Sequence, residues 1–88
     1  MKREDVYKLI DGEREYQDKR WNSETTASGG IHSPEEWTMY MLQYLLEGQY
    51  ILSHENVQTA YPKAMEIIRK VTAMGVCAME QIDTTPRK

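Results

Sequence analysis

The sequence lacks phenylalanine and has a single cysteine, Cys77, so no disulfide bond can form within one chain. A lone cysteine is typical of proteins that work in a reducing compartment. The first five residues, MKRED, contain no apolar segment of the kind that signal peptides carry. These features together predict a cytoplasmic protein.

The sequence also lacks a long apolar run and an excess of basic residues. Its least charged stretch, residues 37–53, still contains Glu47 and is too short and too polar to cross a membrane. The net charge is −3, whereas general nucleic-acid-binding proteins usually present a basic face. We therefore expect neither a membrane span nor general nucleic-acid binding.

Apolar residues recur at helical spacing in three segments, and no segment alternates as a β-strand does. This periodicity predicts helices over about residues 3–21, 34–53 and 60–83, with a polar loop at 22–32 and a frayed tail at 84–88. Ser33, Pro34 and Glu36 form the clearest start signal, a capping box with proline in the first turn. The expected fold is all-α, a single domain over residues 1–83 built as a three-helix antiparallel bundle.

The second predicted helix is apolar over nearly its whole circumference, with a polar strip at Glu36, Gln43 and Glu47. A helix with this pattern is normally buried on all sides. A three-helix protein of 88 residues has too little material to surround it. We therefore predict a homo-oligomer, with a dimer favoured, whose interface centres on this helix and on the small residues Gly75 and Ala78 of the third.

Polar side chains interrupt the apolar stripe of the first predicted helix. Glu13 and Gln17 are one turn apart, and Arg20 lies one turn beyond Gln17. Buried polar groups need partners, because an unpaired one costs about 1–3 kcal/mol. The long loop after Trp21 could fold His32 back over the cluster as a ligand, a base or a hydrogen-bond donor. Two interpretations follow. In the first, Glu13, Gln17, Arg20 and His32 line one ligand-binding cavity, with Trp21 as a wall. In the second, Glu13 and Arg20 only pair with each other or with the second helix.

Other kinds of site find little support in the sequence. No histidine and cysteine pair has the spacing of a zinc site. The segment Ser28-Gly29-Gly30 is too short for a phosphate-binding loop and follows no strand. Cys77 has no basic neighbour in the sequence, which disfavours a catalytic thiol. We expect no metal site and no cofactor, and the sequence assigns no catalytic residue.

The pattern Glu13-Arg14-x-x-Gln17-x-x-x-Trp21, followed by a loop and His32, resembles the opening of a family of short phage and prophage proteins. That family is described as dATP/dGTP pyrophosphohydrolase-like. Its members are in turn similar to the all-α NTP pyrophosphohydrolases of the MazG type, which bind magnesium with an ExxE pair on one helix and an ExxD pair on a later one. Carboxylates at that spacing share a helix face and can hold a hard cation.

The segment 69–83 resembles the last helix of the same proteins, and its Glu80-x-x-Asp83 matches the ExxD pair. The earlier pair is incomplete, because uncharged residues occupy positions 38–40, where its second carboxylate should lie. The resemblance therefore implies a phage-type protein in the host cytoplasm that binds a host protein or a small nucleotide without turnover. The alternative that it implies is a magnesium-dependent nucleotide pyrophosphohydrolase with a degenerate site.

Overall fold

The computed structural model describes residues 1–87 and contains three helices, α1 (Arg3–Arg20), α2 (Pro34–His54) and α3 (Val57–Gln81). The described part of the chain contains no strand, and the helices pack on one another. These observations confirm the predicted all-α three-helix bundle. The predicted tail has no helical structure over residues 84–87, and its last residue, Lys88, lies outside the described residues.

The starts of α2 and α3 are set by side chains that accept hydrogen bonds from the first turn. Ser33 Oγ accepts from the Glu36 amide at 3.2 Å, and a Glu36 carboxylate oxygen accepts from the Ser33 amide at 3.0 Å. The backbone hydrogen bond from Ser33 lowers the pKa of Glu36. Asn56 caps α3 by accepting from the Thr59 amide at 3.1 Å, so this helix begins three residues before the predicted start at residue 60.

The helix α3 is central, because α1 and α2 each pack on it and, over the described residues, do not pack on each other. The helices α2 and α3 run antiparallel: Trp37 at the start of α2 bonds to Gln81 at the end of α3, and Gly48 lies against Ile67. The bundle is therefore open on one side. A cleft remains between α1 and α2, and α3 forms its floor.

The buried apolar side chains are few, and most of them belong to α3: Ile10, Trp37, Ala60, Ile67, Val71, Ala73 and Met74. Ala73 is fully buried and Cys77 is half-buried, although both share a side of α3 with the charged residues Glu66 and Lys70. The reason is that α3 has neighbouring helices on two sides.

Large apolar side chains remain exposed on both outer helices. The helix α2 buries only Trp37 and Gly48. Six of its large apolar residues are between 43% and 63% exposed, namely Met39, Leu42, Leu45, Leu46, Tyr50 and Leu52. On α1 the apolar residues Val6, Leu9 and Tyr16 are 39–53% exposed, and Ile10 is buried. None of the helices in the described chain is long and apolar enough to span a membrane.

Candidate functional site

A cavity of about 340 Å³ lies in the cleft between α1 and α2, over α3. Five aromatic side chains contribute to its lining, namely Trp21, His32, Trp37, Tyr40 and Tyr44. The His32 ring meets Trp37 edge-on and Tyr40 at a tilt, with ring centroids 5.0 Å apart in both pairs. Pockets for small ligands are usually concave, mostly apolar and furnished with a few polar groups, and this cavity has that character.

Arg14 supplies the main polar group of the cavity. Its side chain is 10% exposed, and its Nε and Nη2 atoms each donate to a carboxylate oxygen of Glu80 at 3.0 Å. Nη2 also donates to Asp18 Oδ1 at 2.9 Å. These bonds raise the pKa of Arg14 and lower the pKa of Glu80, so both groups are charged at neutral pH.

Two buried nitrogen atoms of cavity-lining residues have no hydrogen-bond partner among the described residues. They are Arg14 Nη1 and His32 Nδ1. The carboxylate oxygen that approaches His32 Nδ1 belongs to Glu36 and lies 3.7 Å away, which is too far for a hydrogen bond. A buried polar atom without a partner is costly, and such an atom in a native protein calls for an explanation. Both atoms are shielded from solvent by the protein itself, so a molecule in the cavity reaches them only if the side chains move.

Gln81 at the end of α3 fastens the loop that closes one end of the cavity. Its Oε1 accepts from Trp37 Nε1 at 3.0 Å and from the His32 amide at 3.3 Å, and its Nε2 donates to the Gly30 carbonyl at 2.8 Å. Gly30 has a φ of +79°, and a Cβ there would lie 2.5 Å from the Trp21 carbonyl oxygen. The loop therefore needs glycine at this position to bring Trp21 and His32 to the same cavity.

Three of the five predicted site residues, Gln17, Trp21 and His32, line this cavity. Gln17 is buried, and its Nε2 donates to the Lys70 carbonyl at 3.1 Å. The His32 ring contacts Trp37 and Tyr40 of α2, and His32 shares the lining of the cavity with Gln17. These three residues are the part of the predicted polar cluster that the fold brings together.

The structure does not bring Glu13 and Arg20 to this cavity. Glu13 lines a second cavity and accepts from Arg69 Nε of α3 at 2.9 Å. Arg20 is exposed outside both cavities, with its guanidinium 5.9 Å from the centroid of the Trp21 ring. The two do not pair with each other either, because α1 meets α3 along Arg14 and Gln17 and leaves Glu13 and Arg20 on its flanks.

Arg14 is the residue that the sequence interpretation missed, although a signal for it exists. Ile10, Arg14, Gln17 and Trp21 follow one another at intervals of four, three and four residues, the spacing of a single helix face. Glu80 was matched to a metal-binding pair, yet its carboxylate bonds to Arg14. Its supposed partner Asp83 follows the end of α3.

Cys77 lines the floor of the cavity, and burial raises the pKa of its thiol. No group of three histidine, cysteine, aspartate or glutamate side chains in the described chain is arranged to hold a metal ion.

Comparison of the chain with protein-family models, curated proteins and solved structures gives no match. A functional assignment therefore depends on the geometry of the cavity and its lining.

Proposed function

We propose that this protein binds a small nucleotide-type ligand, without turnover, in the cavity between α1 and α2. The observation that carries the proposal is the cavity of about 340 Å³ lined by five aromatic side chains, with two unpartnered nitrogens, Arg14 Nη1 and His32 Nδ1, buried in its wall. Aromatic side chains stack on nucleobases, and nitrogen donors pair with the polar edge of a base. This combination suits a nucleobase better than a purely apolar ligand.

Binding without turnover is supported by what the nearby carboxylates do. Asp18 and Glu80 both accept hydrogen bonds from Arg14, and Glu13 accepts from Arg69. Carboxylates that are engaged in this way are poor ligands for magnesium, which prefers oxygen atoms free to coordinate it. The alternative function is a magnesium-dependent nucleotide pyrophosphohydrolase, and it would require these pairs to break.

We propose further that the protein is a homo-oligomer, most simply a dimer, with the exposed apolar face of α2 at the interface. Leu42, Leu45 and Leu46 of this face are 43–56% exposed in the single chain. Contiguous apolar patches of this kind usually mark interaction sites, and twofold pairing of identical surfaces is the commonest assembly. The sequence resemblance extends the proposal to a phage-encoded protein in the host cytoplasm, where a host protein is the alternative occupant of this face.

The ligand proposal is tested by calorimetric titration with a panel of ribonucleotides and deoxyribonucleotides, with and without magnesium. Tyr40→Leu removes a ring from the cavity, and Tyr7→Leu removes an exposed ring of α1 as the matched control. We expect Tyr40→Leu to weaken binding by about fivefold to a hundredfold, since stacking contributes about 1–3 kcal/mol per base. The control should bind as the wild type does.

Release of pyrophosphate is measured in the same samples. We expect none, and sustained release with magnesium would establish the alternative enzymatic function. Equal weakening by Tyr40→Leu and Tyr7→Leu would show that the ligand does not occupy this cavity.

The oligomer proposal is tested by light scattering at micromolar concentration. We expect twice the mass of one chain for the wild type, and the monomer mass for Leu45→Glu, because an unpaired buried charge costs about 3–5 kcal/mol. Gln43→Glu adds the same charge on the polar strip of α2 and should remain dimeric. A wild-type protein that is monomeric at this concentration would contradict the proposal.

A further inference from the structure

We infer that the cavity takes the base of the nucleotide, that it selects bases with a carbonyl next to a ring N–H, and that it leaves the phosphates in solvent. This inference rests on the proposed function. It follows from three properties of the cavity: its charge, its size and rings, and the polar edge formed by Arg14 and Asp18.

The charge of the cavity does not suit a phosphate group. Arg14 is the only Lys or Arg side chain that lines it within the described chain. Two carboxylates, those of Asp18 and Glu80, already surround this guanidinium at 2.9–3.0 Å. The guanidinium and the two carboxylates together carry a net charge of one positive against two negative charges. This net negative charge would repel a phosphate in a partly dehydrated site.

The size and lining suit a flat heterocycle. The volume of about 340 Å³ is near the lower end of the range of about 300–1,000 Å³ for small-ligand pockets. The His32 ring contacts the rings of Trp37 and Tyr40, with centroids 5.0 Å apart in each pair, and the three rings form an aromatic wall. Stacking on such a wall is available to every base, because every base has a π-face. The wall therefore explains why a base would bind but not which one.

The choice of base comes from Arg14 and Asp18, which place a donor beside an acceptor. Arg14 Nη1 can only donate and has no partner among the described residues. It is buried in the wall of the cavity, so we infer that the side chain shifts when a ligand binds and that Nη1 then donates to an acceptor such as a carbonyl oxygen. The Asp18 carboxylate lies 2.9 Å from the same guanidinium, lines the cavity and can only accept when ionised. A carbonyl with an adjacent ring N–H matches this pair. Hypoxanthine, guanine, uracil and thymine have that edge, whereas adenine lacks it.

The first experiment asks which part of the nucleotide is bound. Inosine, inosine monophosphate and inorganic phosphate are titrated into the wild-type protein by calorimetry. We expect inosine and its monophosphate to bind within about threefold of each other, with little dependence on salt because the phosphate stays in high dielectric. Inorganic phosphate should neither bind nor compete.

The outcomes of this experiment separate the two levels of the argument. A monophosphate that binds more than about tenfold tighter than the nucleoside, or competition by inorganic phosphate, would overturn the inference and leave the proposed function standing. A protein that binds neither inosine nor any nucleotide of the panel would overturn the proposed function itself.

The second experiment compares inosine with adenosine, which differ at the 6-position and in the adjacent ring N–H. We expect inosine to bind about tenfold tighter, because adenosine leaves the donor of Arg14 facing an amino group. Asp18→Asn should reduce this preference, and Asp11→Asn, an exposed carboxylate of α1 outside the cavity, should retain it.

The readout is the ratio of the two affinities, which a general loss of stability would not change. Equal binding of inosine and adenosine to the wild type would overturn the base selection. An unchanged preference in Asp18→Asn would remove Asp18 from it.

Discussion

The two interfaces of α3 differ in kind. Against α2 the packing is apolar and close: a Cβ on Gly48 would lie 3.5 Å from Ile67 Cδ1, and one on Gly75 would lie 3.6 Å from Met41 Cε. Small residues at these two points let the helix backbones approach each other. Such packing contributes free energy in proportion to the apolar area that it buries and has little directional preference.

Against α1 the interface is mostly polar, and α1 buries one apolar residue, Ile10. Three polar contacts join the helices, namely Arg14 with Glu80, Glu13 with Arg69, and Gln17 with the Lys70 carbonyl. Hydrogen bonds contribute less net free energy than apolar burial, but they fix the position of one element relative to another. The apolar interface therefore supplies most of the stability, and the polar one sets the cleft in which the cavity lies.

The largest expected effect comes from weakening the apolar interface. Ile67→Ala should lower the free energy of unfolding by about 2–4 kcal/mol, because it removes a buried side chain and leaves a cavity beside Gly48. Ile68→Ala changes the next residue of the same helix, which is 46% exposed, and should cost less than about 1 kcal/mol. Urea denaturation of both variants measures the difference. Equal losses would mean that burial against α2 is not what stabilises α3.

Removing the centre of the polar interface should have a smaller effect on stability. Arg14→Met keeps much of the side-chain volume but leaves Glu80 and Asp18 without their shared partner. We expect a loss of about 1–2 kcal/mol in the same measurement, since both carboxylates are more than half exposed and can be solvated. The exposed Arg20→Met is the matched control on α1 and should change the free energy by less than about 0.5 kcal/mol. A loss as large as that of Ile67→Ala would erase the distinction between the two interfaces.

The two interfaces also differ in how far the sequence predicts them. The start of α2 was predictable because Ser33 and Glu36 act within one turn of the chain. The bond between Arg14 and Glu80 was not, because these residues are 66 positions apart and periodicity carries no information about partners at that distance. His32 could be placed at the same cavity as Gln17 only from the length of the loop.

The burial of α3 on two sides escaped prediction for a related reason. A single sequence shows the apolar stripe of each helix but does not show which helix lies at the centre. Ala73 and Cys77 are small enough to lie at a second, closely packed interface. In the sequence, however, small residues on a helix side that also carries charged residues do not indicate such an interface. The sequence therefore predicted the number and extent of the helices better than their arrangement.

The smallest expected effect is the pH dependence of the polar interface. Hydrogen bonds from Arg14 hold the pKa of Glu80 in the folded protein below its ordinary value of 4.5. A carboxylate with a lowered folded pKa stabilises the fold above the unfolded pKa, and this contribution is lost as the pH falls through the folded pKa. Glu80→Gln should therefore be less stable than the wild type at neutral pH by about 0.5–1 kcal/mol, a figure reduced because the Glu80 side chain is 54% exposed. The two free energies of unfolding should converge as the pH falls through the lowered pKa of Glu80. The exposed change Glu15→Gln on α1 should match the wild type at neutral pH. A difference that persists undiminished at acid pH would show that Glu80 acts by packing and not by its charge on Arg14.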